Sequence, residues 1–203
     1  MTSFDERAST WDDDPAKVER ARAVAGAIRG RLPLSTSLRV LEYGAGTGLV
    51  SQALAEDVGP LTLSDPSAGM RHVMENKVAC GALPAGSRVC DIDLSTADVP
   101  AQRFDLIMAV MTLHHIPVLE PVLARFVDLL EPGGHLCVVD LVEEDGSFHE
   151  GSDFDGHNGF DAGELAKLLR AAGFAQIEFA QVYEVAKREK RYPLFLATCR
   201  KPG

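Results

Sequence analysis

Apolar and polar positions follow two different periods along the chain, and the switches between them mark the elements. The first long pattern is helical: in "DDDPAKVERARAVAGAIRG" the apolar residues Val18, Ala21, Ala25 and Ile28 recur every three to four positions. Asp14 suits the N-cap, Pro15 the first helical position and Gly30 the end. Short apolar runs bounded by turn residues then alternate with helical patterns. "SLRVLEY", "LTLSD", "SRVCDI", "FDLIMAV" and "HLCVVDLV" predict five strands. Helices are predicted over about 48–57, 67–80 and 118–130, a loop through Pro100, and a turn at "EPGG" that leads into the fifth strand. A last helix over 161–172, closed by Gly173, precedes two strands, "QIEFAQVYEV" and "PLFLATC", separated by the basic turn "KREKRY". Strands that are apolar throughout are buried on both faces. The pattern therefore predicts an α/β fold: a doubly wound, mostly parallel seven-stranded sheet with an antiparallel C-terminal hairpin.

Composition narrows this to one globular unit. With 203 residues and 46% hydrophobic content, the chain reads as a single domain over 1–203, with 1–32 as an N-terminal helical cap and 142–160 as an acidic loop. The opening "MTSFDERASTWDDD" has neither a basic nor an apolar leader segment, and no apolar run is long enough to cross a bilayer. Cys80, Cys90, Cys137 and Cys199 show no metal-ligand spacing, and three of them sit in strand-like runs, which suits reduced thiols. A cytoplasmic location is expected.

Charge excludes one class of partner. The net charge is −10, and no Lys or Arg falls between Arg125 and Lys167, a stretch carrying eleven acids from Asp128 to Glu164. Binding a phosphate backbone needs a basic surface, so neither a nucleic-acid nor a membrane partner is expected. An acidic field mildly favours a neutral or cationic small molecule, although a solvated acidic loop accounts for it equally well.

The chemistry concentrates at strand ends, where open sheets of this kind bind ligands. "EYGAGTG" places Gly44, Gly46 and Gly48 directly after the first strand. Glycine in a regular element costs about 0.5–1 kcal/mol, so three together indicate a sharp turn and a close backbone approach to a ligand. The dinucleotide fingerprint G-x-G-x-x-G fails here, because its third glycine would fall on Leu49. Asp65 ends the second strand, Met70 follows five residues later, and Asp91 ends the third. A single strand-end Asp can serve merely as a helix N-cap; acids on successive tips beside a glycine turn form a pattern.

These segments resemble those of the class I S-adenosylmethionine-dependent methyltransferases of the small-molecule type, over about residues 39–141. "FDLIMAVMTLHHIP" and "LLEPGGHLCVVDL" resemble that family's fourth- and fifth-strand segments. The resemblance implies a Rossmann-like sheet, S-adenosyl-L-methionine as cofactor, S-adenosyl-L-homocysteine as product, and an enzyme methylating O, N, S or C of a small-molecule acceptor. It implies a cofactor site made of Glu42, Gly44, Ala45, Gly46, Asp65, Pro66, Met70, Asp91, Ile92, Val110 and Met111. Asp65 would accept from the ribose hydroxyls and Asp91 from the adenine amino group, with Ile92 against the ring. The backbone of Gly44, Ala45 and Gly46 suits the methionine carboxylate and ammonium, with Val110 and Met111 on the other side of that tail. Glu42 would organise the glycine turn or receive the ammonium through water.

Methyl transfer from a sulfonium needs alignment and exclusion of water more than it needs a base. His114 and His115 follow the fourth strand, and His115 is the candidate catalytic residue, as base or acceptor-orienting group; a structural histidine is the plain alternative. Phe148, Phe154 and Phe160 of the acidic loop would line an acceptor pocket or pin the loop, and Trp11 would help close a lid or anchor the surface. His149 and His157 lack close ligand spacing, so no metal is expected. The chain has neither the Asn/Asp-Pro-Pro-aromatic stretch nor the Pro-Cys pair of DNA methyltransferases, which favours a small acceptor. A non-enzymatic binder of the same cofactor remains open at this point, as does a nicotinamide-dependent oxidoreductase, the latter disfavoured by Leu49.

Overall fold

The fully apolar run of the fourth strand shows why this sheet is buried on both faces. In a computed structural model, which describes residues 3–94, 101–149 and 154–203, the strand β4 (Phe104–Val110) sends alternate side chains into two separate cores. Leu106 and Met108 face one core, with the helices α2 (Pro15–Arg29), α3 (Leu49–Ala53) and α4 (Ala68–Ala79) over it; α1 (Ser3–Arg7) precedes them. Ile107 and Ala109 face the other, against α5 (Leu119–Leu129) and α6 (Ala162–Ala172). Leu123, Phe126 and Leu129 of α5 are fully buried there, each contributing about 1.5–3 kcal/mol on leaving water.

The remaining strands are β1 (Val40–Tyr43), β2 (Leu61–Ser64), β3 (Arg88–Cys90), β5 (Leu130–Leu141), β6 (Ala175–Lys187) and β7 (Lys190–Arg200). They form one seven-stranded sheet in the order β3-β2-β1-β4-β5-β7-β6. β3 to β5 run parallel, and β7 pairs antiparallel with both β5 and β6. The doubly wound sheet with its terminal hairpin is as the pattern predicts. Strand order reverses between β1 and β4, which puts the ligand crevice at their carboxyl ends.

Asp14 caps α2 by accepting the Ala16 N–H at 3.0 Å, and Gly30 ends it. Val24 is fully buried on its inner face, whereas Val18 is only half-buried. Three boundaries depart from the sequence reading. α3 stops at Ala53 because the amides that follow turn to carbonyls three residues back, Ala55 to Gln52 and Asp57 to Leu54; acids at 56 and 57 oppose a helix C-terminus. "EPGG" lies within β5 as a bulge: Leu130 still pairs with Phe104 and His135 with Leu106. The bulge is held by the chain end, Gly133 N–H to Lys201 O and Lys201 N–H to Gly134 O, both at 2.9 Å. The basic segment is mostly strand, Lys187 pairing with Lys190, so the hairpin turns on Arg188 and Glu189 alone. The end of the predicted loop through Pro100, and 150–153 of the acidic loop, lie outside the described residues. Among the described residues, no helix is long and apolar enough to cross a membrane.

Candidate functional site

The turn after β1 carries three glycines at positive φ, 70° at Gly44, 57° at Gly46 and 75° at Gly48, and two of them explain its purpose. A Cβ on Gly44 would lie 2.3 Å from Cγ2 of Thr112. Thr112 follows β4, and its hydroxyl donates to the carbonyls of Gly44 (3.2 Å) and Val110 (3.1 Å). The missing side chain lets the turns after β1 and β4 touch. A Cβ on Gly46 would meet nothing within 4 Å. There the bare backbone faces a gap, a cradle for a ligand rather than a packing contact. Across from it, Met111 adopts φ 54° with its N–H on Val139 O at 2.8 Å. A left-handed non-glycine residue costs about 1–2 kcal/mol, and such conformations cluster at binding sites.

The two acids nearest the turn are buried. Glu42 is 2% exposed and accepts the hydroxyl of Ser51, which ties β1 to α3; burial pushes its carboxyl up to about 7. Asp65 accepts the N–H of Gly46 at 2.7 Å and of Ser67 at 2.9 Å, joining the first and second strand tips. Burial raises its pKa as well. It is not the cap of α4: that is Ser67, whose hydroxyl accepts from Met70 N–H at 3.2 Å. Among the described residues no cation contacts the Asp65 carboxylate, and each oxygen keeps a further lone pair.

Arg71, which the sequence reading passed over, links the second tip to the third. Its guanidinium donates to the carbonyls of Asp65 (2.7 Å) and Pro66 (2.9 Å) and to the exposed carboxylate of Asp91 (3.2 Å). Ile92 donates its N–H to Ser64 Oγ at 2.8 Å, Met70 is buried beneath, and Pro66 is exposed. The Ala45 N–H is taken by Ser64 O at 2.9 Å, so the amides of both Ala45 and Gly46 are engaged within the protein. Glu42, the glycine turn, Asp65, Asp91, Ile92, Val110 and Met111 thus stand at the carboxyl ends of β1 to β4.

A second group gathers beyond β4. Leu113–His115 form a 3-10 turn in which His114 is buried, with Nδ1 2.5 Å from Asp140 Oδ1 at the tip of β5. His115 packs against His114 with centroids 4.1 Å apart and the rings tilted by 42°. Loss of hydration, then the imidazoles of His114 and His149, push His115 down to about 4. The acidic loop doubles back onto this turn: Phe160 N–H bonds Leu141 O at 2.9 Å, and His157 N–H bonds His114 O at 2.8 Å. Phe160 is buried with Phe195 and pins the loop. Phe148, His149 and Phe154 instead ring the paired histidines. The sequence alone does not mark Asp140 and His149 as partners of His114. Asp140 is a strand-tip acid like Asp65 and Asp91, and that position was the available signal.

The N-terminal segment lies across the tips. Asp5 accepts Ser67 Oγ (2.6 Å) and Gly69 N–H (3.0 Å); Asp12 accepts Thr47 Oγ1 (2.5 Å) and pairs with Lys77 (2.6 Å). Phe4 sits edge-on to His115 at 5.7 Å, and Trp11 lies between Lys17 and Arg7. Depressions of about 620 Å³ beside Tyr183 and about 240 Å³ beside His135 lie away from all of this.

Comparison with known proteins agrees with this geometry. Residues 11–178 match a family model described as a methyltransferase domain. The chain is 34% identical over 131 residues to a highly reducing polyketide synthase of Calcarisporium arbuscula, covering 62% of this chain and 5% of that protein. It is 28% identical over 139 residues to a ubiquinone biosynthesis O-methyltransferase of Coxiella burnetii, covering 67% of this chain and 58% of that one. The chain therefore spans less than two thirds of either relative. Phosphoethanolamine N-methyltransferase 2 of Haemonchus contortus, solved with S-adenosyl-L-methionine, has the same fold: TM-score 0.75, 15% identity, 100% of this chain and 61% of that chain. The family-model match covers most of the chain, strand tips included, and the chain belongs to the methyltransferase-domain family.

Proposed function

We propose that this chain transfers a methyl group from S-adenosyl-L-methionine to a small-molecule acceptor, releasing S-adenosyl-L-homocysteine. The observation that carries the reading is a buried carboxylate, Asp65, with no ion pair among the described residues, bonded to a glycine whose missing side chain opens onto a gap. Its spare lone pairs suit the two ribose hydroxyls. Asp91 and Ile92 take the adenine, with Pro66 and Met70 beside them; Gly44, Ala45 and Gly46 take the methionine tail, with Val110 and Met111 opposite. Glu42 acts through Ser51, holding the turn in shape. When bound, the cofactor supplies a methyl group already activated by positive sulfur.

The protein's task is then to align the acceptor and exclude water. His115 orients the acceptor: a ring pushed down to about 4 is a weak base at neutral pH. The segment 1–32 closes over the cofactor through Asp5 and Asp12. The acidic stretch of 142–160 and the net charge of −10 support a small acceptor over a nucleic acid. Four free cysteines fit a cytoplasmic location.

Calorimetric titration with S-adenosyl-L-methionine tests the cofactor. Asp65→Ala is expected to weaken binding by about 1–3 kcal/mol, through loss of charge-assisted hydrogen bonds. Equal affinity in the two proteins would refute the ribose assignment. Release of S-adenosyl-L-homocysteine in a screen of amines, phenols, thiols and carboxylates tests turnover.

A further inference from the structure

One guanidinium spans two strand tips and uses only part of its capacity. Arg71 lies in the first turn of α4, where its backbone N–H bonds Ser67 O at 3.0 Å. Helical side chains lean towards the N-terminus, and this one folds back over the loop between β2 and α4. There Nη1 alone makes the contacts: Asp65 O at 2.7 Å, Pro66 O at 2.9 Å and Asp91 Oδ2 at 3.2 Å. An arginine carries further N–H donors on Nε and Nη2. Among the described residues these make no hydrogen bond.

The two carbonyls and the carboxylate hold the guanidinium beside the third tip, and its side chain is only 24% exposed. Asp91 is bonded through Oδ2, and its Oδ1 has no partner among the described residues. The tip thus presents an acceptor, Asp91 Oδ1, next to donors, Arg71 Nε and Nη2. The backbone supplies no equivalent donor at Ile92, because that N–H is taken by Ser64 Oγ at 2.8 Å. Adenine carries an amino group that donates, flanked by ring nitrogens that accept. An acceptor beside a donor is the complement of that edge, the same match by which an amide side chain reads adenine in nucleic acids.

We infer that Arg71 reads the cofactor's base: it donates to a ring nitrogen of the adenine while Asp91 accepts from the neighbouring amino group. The inference rests on the proposed cofactor site and adds to it the residue that sets base selectivity. Helix capping does not need this arginine. α4 is already capped by Ser67, which accepts Met70 N–H at 3.2 Å, and by Asp5, which accepts Gly69 N–H at 3.0 Å. Nor does Asp91 need a partner for its charge, since its side chain is 51% exposed. Hypoxanthine, with a carbonyl oxygen in place of the amino group, would set two acceptors against each other at Asp91, so the pair also rejects that base.

Calorimetric titration of the full chain with S-adenosyl-L-homocysteine and two of its deaza analogues tests this. One analogue lacks the six-membered-ring nitrogen beside the amino group, and the other lacks the five-membered-ring nitrogen on its far side. Both keep the ribose and the amino acid. One of them is expected to bind the parent protein about tenfold more weakly than S-adenosyl-L-homocysteine, through loss of one charge-assisted hydrogen bond. That comparison needs no variant. In Arg71→Met the gap is expected to close, because the donor is gone. A merely structural arginine would weaken all three ligands together and keep their ratios. Equal affinity of the parent for all three ligands, or a tenfold gap that survives in Arg71→Met, overturns the inference. Failure of S-adenosyl-L-homocysteine itself to bind overturns the cofactor reading and the inference with it, so the two failures are told apart.

Discussion

The two sides of the crevice are built from opposite materials. On the cofactor side the chain removes side chains: Gly44 and Gly46 take left-handed conformations, and the contacts are made by backbone amides on Asp65. On the proposed acceptor side it adds them: two further imidazoles and two phenyl rings pack around His114, whose own ring meets a buried carboxylate. The first side is held around Asp65 by links across two residues, to Ser67, and across 19, to Gly46, and at the glycine turn by Thr112, 68 residues beyond Gly44. The second needs Asp140 26 residues beyond His114, and Tyr192 45 residues beyond Ser147. One side is therefore broken by adding atoms, and the other by removing them.

The largest effect is expected where the two turns touch. Gly44→Ala pays left-handed strain of about 1–2 kcal/mol and overpacks Thr112 by about 1–3 kcal/mol more, so stability falls by roughly 2–5 kcal/mol. Gly46→Ala carries only the strain, yet fills the gap that faces the ligand. Urea unfolding paired with calorimetric titration should show the first variant losing mainly stability and the second mainly cofactor affinity. If the two variants lose both properties in the same proportion, Gly46 is a packing glycine like its neighbour.

Glu42 gives the next effect, and it is specific to pH. The folded protein holds this carboxyl at about 7, against an ordinary 4.5, because burial disfavours the charge. Between those values the folded chain keeps a proton that the unfolded chain has released. The stabilisation is complete below about 4.5 and is lost as pH rises towards 7, at most roughly 3 kcal/mol across the window. Glu42→Gln keeps a group that can accept from Ser51 and removes the titration. The stability difference between parent and variant, measured by urea unfolding at several pH values, should therefore change across that window. A constant difference would mean that Glu42 is already ionised in the fold.

Much of the cofactor side was legible because local requirements select residue types. A positive φ asks for glycine, the more so where, as at Gly44, a Cβ has no room, and a strand tip beside it asks for an acid, so Gly44, Gly46, Asp65 and Asp91 stand out in the string. Arg71 did not stand out, because a helical arginine one residue after Met70 has no local requirement to betray it. On the acceptor side the string shows His114 and His115 without showing which is buried. That depends on Asp140, which the sequence presents as one more acid in an acidic stretch. The bulge at "EPGG" was hidden for a similar reason: Lys201, far along the chain, supplies the bonds that keep it within β5.

The smallest effect separates the two sides most cleanly. Tyr192 is 5% exposed, lies edge-on to Phe148 at 5.1 Å, and shares a 2.8 Å hydrogen bond with Ser147. Tyr192→Phe keeps the ring and deletes only that bond, which is worth about 0.5–1.5 kcal/mol. Because Ser147 stands two residues before His149, the loss falls on the segment that carries the ring to His114. Hydrogen exchange should quicken at the amides of Ser147 and Phe148 and stay unchanged at Gly46, whose amide is held by Asp65 on the other side. Equal quickening at Gly46 would show that the two sides open as one unit, and that loop and glycine turn share a single fate rather than two.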